Sequence, residues 1–268
     1  MQHPLSGATR LHLIVGDPIA QVKSPAGVTE ALQQRGRDAV CVPWHVAPAD
    51  FDACLRATAL ARNVDGIIVT VPHKFAASAL CATLTERARF LGAVNTLRRN
   101  ADGSWHGDMV DGLGFTQAMA DAGCKPEGKR VLLVGAGGAG SAIAHAQLMA
   151  GAGTLAIHDE DTSRCGALIA RLAGLGRGAV VAGSPDPTGF DIVINATPMG
   201  MRAGDPLPVQ AERFTPEQFV GDVITVPLVT PLIAAARARG CRTSLGTEMF
   251  GRVRELMVAF LLGGEVAA

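Results

Sequence analysis

Tyrosine is absent from this 268-residue chain, and aromatic residues of every kind make up only 4% of it. That removes the stacking platforms on which single-stranded nucleic acid is usually held. Charge of one sign is not in excess either: 24 Lys and Arg balance 24 Asp and Glu. With no long basic run, neither nucleic acid nor an anionic membrane is expected as the main partner. No apolar stretch reaches the length of a membrane span. Residues 1–10 lack a basic start followed by an apolar block, so no secretory signal is read. The six cysteines, Cys41, Cys54, Cys81, Cys124, Cys165 and Cys241, include no pair at CxxC spacing. Neither a zinc site nor a redox motif is indicated, no metal is expected, and the thiols read as reduced and mostly buried in a cytoplasmic protein. There is no internal repeat and no low-complexity segment.

What is present is apolar matter: 48% of residues are hydrophobic and 18% charged. Such a chain can bury one large core or two modest ones. Short apolar runs at residues 11–15, 40–45, 66–71, 93–98, 131–134, 154–157, 191–195 and 221–225 read as strands. Helical spacing lies between many of them, at 48–61, 76–84, 115–122 and 141–150, with a last helix at 249–262. Ser24 and Pro25 predict a helix start with Ser24 as N-cap. Strands alternating with helices predict an α/β layer fold with parallel or mixed sheets. The glycine-rich segment 107–114 is the expected domain boundary.

The run Gly135-Ala136-Gly137-Gly138-Ala139-Gly140 follows an apolar strand and opens a helix. Asp159 stands about 20 residues on, at the end of the next strand. That order fits a dinucleotide site. Gly135 allows the tight turn, Gly137 lets backbone approach a pyrophosphate, and Gly140 lets helix and strand pack closely. The helix N-terminus offers unpaired N–H groups to the phosphates. A carboxylate at Asp159 can accept from both ribose hydroxyls and would repel the 2′-phosphate of NADP, so NAD is expected over NADP. Glu160 and Asp161 add to that repulsion; alternatively, these acids cap a helix starting near Thr162.

Lys74 is the only lysine between Lys23 and Lys125 and follows an apolar strand. Desolvation there, or a neighbouring charge, can tune an amine for proton transfer. Asp111 falls at the expected junction between the two halves. An amine and a carboxylate acting on one hydroxyl would serve the proton that accompanies hydride loss.

Seven segments in order resemble the shikimate dehydrogenase family: GDPIAQVKSP at 16–25, GIIVTVPHK at 66–74, GAVNT at 92–96, GDMVDG at 107–112, NATPMGM at 195–201, PLVTPL at 227–232 and GTEM at 246–249. The resemblance implies an N-terminal α/β substrate domain (1–107), a Rossmann dinucleotide-binding domain (108–238), and a C-terminal helical segment (239–268) returning to the substrate domain. It implies reversible oxidation of a shikimate- or quinate-type hydroxy acid to its 3-dehydro ketone, by a monomer or homodimer. Lys74 and Asp111 match the catalytic pair. Ser24, Thr70 and Asn95 match substrate-binding positions. Asn195, Thr197 and Met199 match a cofactor-lining loop, and Gly246 and Met249 match positions near the nicotinamide.

The departures from the family pattern share a direction. Gln21 and Val22 replace a histidine and a carboxylate-binding serine, Ile68 replaces Asn, Val110 replaces Thr, Thr225 replaces Tyr, and Val253 replaces a Gln that holds a ring hydroxyl. Most remove a hydrogen-bonding partner, at about 1–3 kcal/mol for each group left unpaired. A divergent member is therefore expected, slow on shikimate or preferring a less polar relative. The alternative from another class is a non-catalytic NAD-binding sensor that kept the fold.

Overall fold

The computed structural model describes residues 5–264 and 266. The chain divides into two compact units: the first runs to Val110 and takes in the residues from Arg254 onward, and the second is Asp111–Val253. The divisions fall at 110/111 and 253/254 rather than at the expected 107/108 and 238/239. The physical reason is strand pairing: Trp105–Asp108 completes the first sheet, and Arg242–Ser244 adds an edge strand to the second.

In the first unit the elements are β1 (Arg10–Gly16), α1 (Ser24–Gln34), β2 (Ala39–His45), α2 (Phe51–Leu60), β3 (Val64–Val69), α3 (Lys74–Ala79), β4 (Thr83–Leu84), α4 (Glu86–Leu91), β5 (Thr96–Arg99) and β6 (Trp105–Asp108). A short 3-10 turn at Pro48–Asp50 leads into α2. The sheet order is β2-β1-β3-β5-β6-β4. β1 pairs parallel with β2 and β3, whereas β5 runs antiparallel to β3 and β6. The central strands are apolar on both faces because both are covered: Leu13, Ile14, Ile67, Ile68 and Leu97 are all buried.

Two expectations for this unit fail. Ser24 does not cap α1; Lys23 stands at the cap with no side-chain bond, and Ser24 is buried in the first helical turn. The helix expected over 76–84 stops at Ala79. Ser78 turns its hydroxyl onto the Gly92 carbonyl at 2.6 Å, and Thr83 and Leu84 pair with His106 and Gly107 instead.

His12 on β1 is 3% exposed, and its Nδ1 has no hydrogen-bond partner. Burial drives its pKa down to about 4 from 6.5, against the attraction of Asp65. The folded state thus keeps the ring neutral where the unfolded chain would protonate it. That stabilisation is complete above pH 6.5 and is lost as pH falls from 6.5 toward 4. Between about pH 7 and pH 4.5 the wild type should lose about 2–3 kcal/mol that a His12→Gln variant does not lose, as read from urea unfolding at both pH values.

The second unit holds α5 (Asp111–Asp121), β7 (Arg130–Val134), α6 (Gly138–Met149), β8 (Thr154–His158), α7 (Thr162–Ala173), β9 (Ala179–Ala182), β10 (Ile192–Asn195), β11 (Phe219–Asp222), α8 (Pro231–Ala238), β12 (Arg242–Ser244) and α9 (Gly246–Leu261). All six strands are parallel, in the order β12-β11-β10-β7-β8-β9. Counted within the unit this is the doubly wound order 3-2-1-4-5-6, whose direction of winding reverses between β7 and β10. Buried aliphatics such as Leu132, Val193, Val220 and Ile233 form one core under the helices. α9 begins in this unit, and its residues from Arg254 belong to the first. No helix of the described residues is long and apolar enough to cross a membrane.

Candidate functional site

In a doubly wound sheet the ligand crevice lies at the carboxyl ends of the strands, where the winding reverses. Here that place is the pair of loops after β7 and β10. Gly135, directly after β7, has φ +107°, which a residue with a side chain rarely adopts. A Cβ at Gly140 would lie 1.9 Å from the Gly135 carbonyl oxygen, so α6 can start this close to β7 only with glycine. A Cβ at Gly137 would meet nothing within 4 Å, so its backbone is open to approach. Gly137 caps α6 without a side-chain bond; Gly138 and Ala139 follow, half-buried, in its first turn. The N–H groups of that turn have no carbonyl partner inside the helix. The turn at Gly135 and the close helix start at Gly140 are the backbone features that the spacing predicts.

Asp159 lies just past β8, with its side chain 7% exposed. Its Oδ2 accepts from the Ala136 N–H at 2.6 Å, and its Oδ1 accepts from Asp161 N–H at 2.9 Å and from Arg164 at 2.8 Å. Burial alone would raise this carboxyl. The Arg164 guanidinium and the two N–H groups outweigh burial and hold it below the ordinary carboxylate range. The carboxylate expected to be free for ribose is already tied to the glycine turn and to an arginine. Sequence spacing does not single out that pairing, because it depends on how the turn at 159–161 enters α7 and sets Arg164, in the first turn of the helix, against Asp159 rather than the neighbouring acids. Asp161 caps α7 by accepting from Arg164 N–H at 2.9 Å, as the alternative reading of these acids expects.

The loop after β10 is built around Asn195, which is buried. Its Oδ1 accepts from Thr197 N–H at 3.0 Å and Thr197 Oγ1 at 2.7 Å, and its Nδ2 donates to the Met199 carbonyl at 3.3 Å. Ala196 of this loop lies against Gly135: a Cβ there would come within 2.8 Å of the Ala196 carbonyl. Thr197 of the same loop also lies beside the glycine turn, its Cγ2 3.0 Å from a Cβ built at Gly135. Gly246 opens α9 and Met249 is buried in its first turns. Two residues that sequence reasoning misses complete the loop's support, Asp222 at the end of β11 and Thr230 at the cap of α8.

In the first unit, three of the expected residues collect at the carboxyl end of β3. Thr70 follows the strand, and its N–H donates to the Val15 carbonyl at 3.0 Å. Lys74 is the first residue of α3 and is 9% exposed; its carbonyl accepts from Val94 N–H at 3.0 Å. Asn95 precedes β5, its carbonyl accepting from Val69 N–H at 2.8 Å. The Asn95 Oδ1 accepts from Thr96 Oγ1 and from Val110 N–H, both at 3.1 Å. Asp108 fixes the neighbouring backbone: its carbonyl accepts from Asn95 N–H, while its fully buried carboxylate takes Arg87 at 2.5 Å and Thr85 at 2.6 Å. Ser24 is buried at the start of α1. Asp111 opens the second unit as the first residue of α5 and is 6% exposed.

Residues 14–97 match the shikimate dehydrogenase substrate binding domain. A shikimate dehydrogenase (NADP(+)) of Rubrobacter xylanophilus is 40% identical over 250 residues, covering 91% of this chain and 88% of the relative. The chain belongs to the shikimate dehydrogenase family. That family comprises NAD(P)-dependent oxidoreductases acting on CH–OH groups. Among solved structures, quinate dehydrogenase from Corynebacterium glutamicum in complex with NAD is 32% identical with a TM-score of 0.86, over 95% of this chain and 94% of that one. The ligand-free 5-ketofructose reductase of Gluconobacter sp. strain CHM43 is 30% identical with a TM-score of 0.83, over 97% and 95%. The fold of this family, a substrate domain followed by a Rossmann-type domain, is the one described above.

Of the family positions that depart in sequence, Ile68 and Val110 are buried in the first unit and Val22 is half-buried. Val253 packs its Cγ2 against Gly114 of α5, where an added Cβ would come within 2.3 Å. Thr225, half-buried, lies beyond the end of β11, which stops at Asp222.

Proposed function

We propose that this protein catalyses the NAD-dependent, reversible oxidation of a cyclic hydroxy acid of the shikimate or quinate type to its 3-dehydro ketone, with a preference shifted away from shikimate itself. The observation that carries it is the glycine turn at the winding reversal of the second unit, in a chain whose first unit gathers Lys74, Thr70 and Asn95 at one strand end. The residues present fit a dinucleotide: open backbone at Gly137, the first-turn N–H groups of α6, and a wall made by Asn195, Thr197 and Met199. Gly135, Gly138, Ala139, Gly140, Gly246 and Met249 complete that set, and Asp159 sets the adenosine end. The nicotinamide, when bound, accepts the hydride from the carbinol carbon.

Lys74 and Asp111 hold the reacting hydroxyl and take its proton as a pair, so that charge does not build on oxygen as the C–H bond breaks. Asn95 and Thr70 orient ring hydroxyls, and Ser24 meets the carboxylate. In this assignment the first unit is the substrate domain and the second the dinucleotide domain. Support for NAD comes from the ionised Asp159, flanked by Glu160 and Asp161, and from the NAD-bound quinate dehydrogenase of similar fold; the R. xylanophilus relative is named for NADP(+). Support for altered substrate choice comes from Val22, Ile68, Val110, Thr225 and Val253. Steady-state kinetics with shikimate, quinate and less hydroxylated cyclohexene acids, each with NAD and NADP, test it. Each shikimate hydroxyl left without a partner should cost about tenfold in kcat/KM relative to an analogue that lacks the hydroxyl. Efficient turnover of shikimate with NADP would defeat both the cofactor and the substrate parts.

A further inference from the structure

We infer that Asp222 is a positioning residue for the dinucleotide: by fixing which way the Asn195 amide points, it holds the loop after β10 in the shape that walls the cofactor crevice. This rests on the cofactor site proposed above. Asp222 is 1% exposed, at the end of β11 next to β10. Its Oδ1 accepts from Asn195 Nδ2 at 3.1 Å and from Ile224 N–H at 3.0 Å, and its Oδ2 accepts from Thr230 Oγ1 at 2.7 Å.

An ionised carboxylate only accepts, so it forces the amide nitrogen of Asn195 toward itself. The amide oxygen must then face the other way, where Thr197 donates to it twice. Thr197 Oγ1 in turn accepts from Met199 N–H at 3.1 Å. Every side-chain hydrogen bond that shapes residues 195–199 thus depends on one amide orientation, and Asp222 selects it. Thr230 also caps α8 by accepting from Ile233 N–H at 3.3 Å, so the carboxylate ties β10, β11 and α8 at one point. Burial makes this an expensive place for a carboxyl, raising its pKa to about 6 against the pull of Thr230, Asn195 and the Ile224 and Val223 N–H groups. Packing alone would be served as well by an aliphatic side chain. What the aliphatic could not do is distinguish the two ends of an amide.

The experiment compares wild type and Asp222→Asn, as full chains, by fluorescence titration with NADH and NADPH, together with KM and kcat. The neutral amide loses the charge that held the Asn195 nitrogen, and must aim its own nitrogen at Thr230 Oγ1 or at Asn195. The dissociation constant for the preferred cofactor and its KM should rise about tenfold, the worth of one bond to a charged group, while substrate KM changes less than about twofold. Asn195→Asp should bind more weakly still, because two carboxylates then face each other. The exchanged pair Asn195→Asp with Asp222→Asn should bind more tightly than Asn195→Asp alone, since it restores one donor and one acceptor between the two side chains, but less tightly than wild type, because the Ile224 N–H and the Met199 carbonyl each lose a partner. A purely structural role would lower the melting temperature of all three variants without that recovery in affinity. Folded Asp222→Asn with cofactor affinity within about twofold of wild type overturns the inference. Should that variant be too unstable to purify, Asn195→Ala removes the amide that Asp222 orients; cofactor affinity within about twofold of wild type there overturns it equally. Wild type that binds neither NADH nor NADPH would remove the cofactor site itself.

Discussion

Lys74→Ala is expected to lower kcat by about a thousandfold with cofactor affinity unchanged, within the range that a positioned proton-transfer group contributes. Lys74 as a whole residue is 9% exposed and is the first residue of a short helix whose place is fixed by the Val94 N–H to Lys74 carbonyl bond. Lys74→Arg is the sharper variant. It keeps the positive charge and much of the stem, yet a guanidinium in a protein does not release its proton. If Lys74 only attracts the substrate, Lys74→Arg should keep most of kcat and shift KM. If it moves the proton, Lys74→Arg should fall nearly as far as Lys74→Ala. Asp111→Asn should lower kcat by a similar factor, about 10²–10⁴. The double variant should be little worse than either single one, because groups that act as a unit do not contribute additively. Stopped-flow measurement of NADH formation decides among these outcomes. Loss of less than about tenfold in kcat for Lys74→Ala would remove it from the proton path.

Long, strongly patterned elements are legible in the sequence, and short ones are hidden. β1, β3, β7 and β10 are apolar runs buried on both faces and fall close to where periodicity puts them. β4 has two residues and β12 three, too few for any pattern, and both exist only because a neighbouring strand offers an edge. β9 is mostly exposed and carries no burial signature to read. α4 does carry a local signal: Thr85 caps its start by accepting from Ala88 N–H, and Gly92 ends it at φ +63°. In the site, the glycine spacing predicts both a turn and a close approach because each is a local backbone demand. The partners of Asp159 and Asn195 are not legible. Arg164 meets Asp159 rather than the neighbouring acids only because of how the turn at 159–161 enters α7, and Asp222, 27 residues from Asn195 in the chain, reaches it only because β10 and β11 are neighbours.

Asp159→Ser should reverse the cofactor preference, and the direction follows from two charges. In the wild type, the Arg164 guanidinium is held by the Asp159 carboxylate at 2.8 Å, and it is half exposed. A 2′-phosphate arriving beside this pair meets an ionised carboxylate, and its attraction to Arg164 is already partly spent on that carboxylate. Two like unit charges about 4 Å apart at an effective dielectric of about 20 repel by about 4 kcal/mol. Even after screening by the arginine and solvent, a residue of about 1.5–3 kcal/mol would favour NAD by about 10–100-fold in kcat/KM. Serine keeps an acceptor for the ribose and for Ala136 N–H, removes the repulsion, and releases Arg164 to pair with the phosphate. Asp159→Ser should therefore raise kcat/KM with NADP by about a hundredfold and lower it with NAD by about tenfold. Adding Arg164→Ala to that variant should abolish the NADP gain while leaving the NAD loss in place, because only the first depends on the freed guanidinium. Wild-type protein that already uses NADP better than NAD would mean the ion pair opens at little cost and Arg164 reaches the phosphate past Asp159. In that case Arg164→Ala alone should lose NADP turnover and spare NAD.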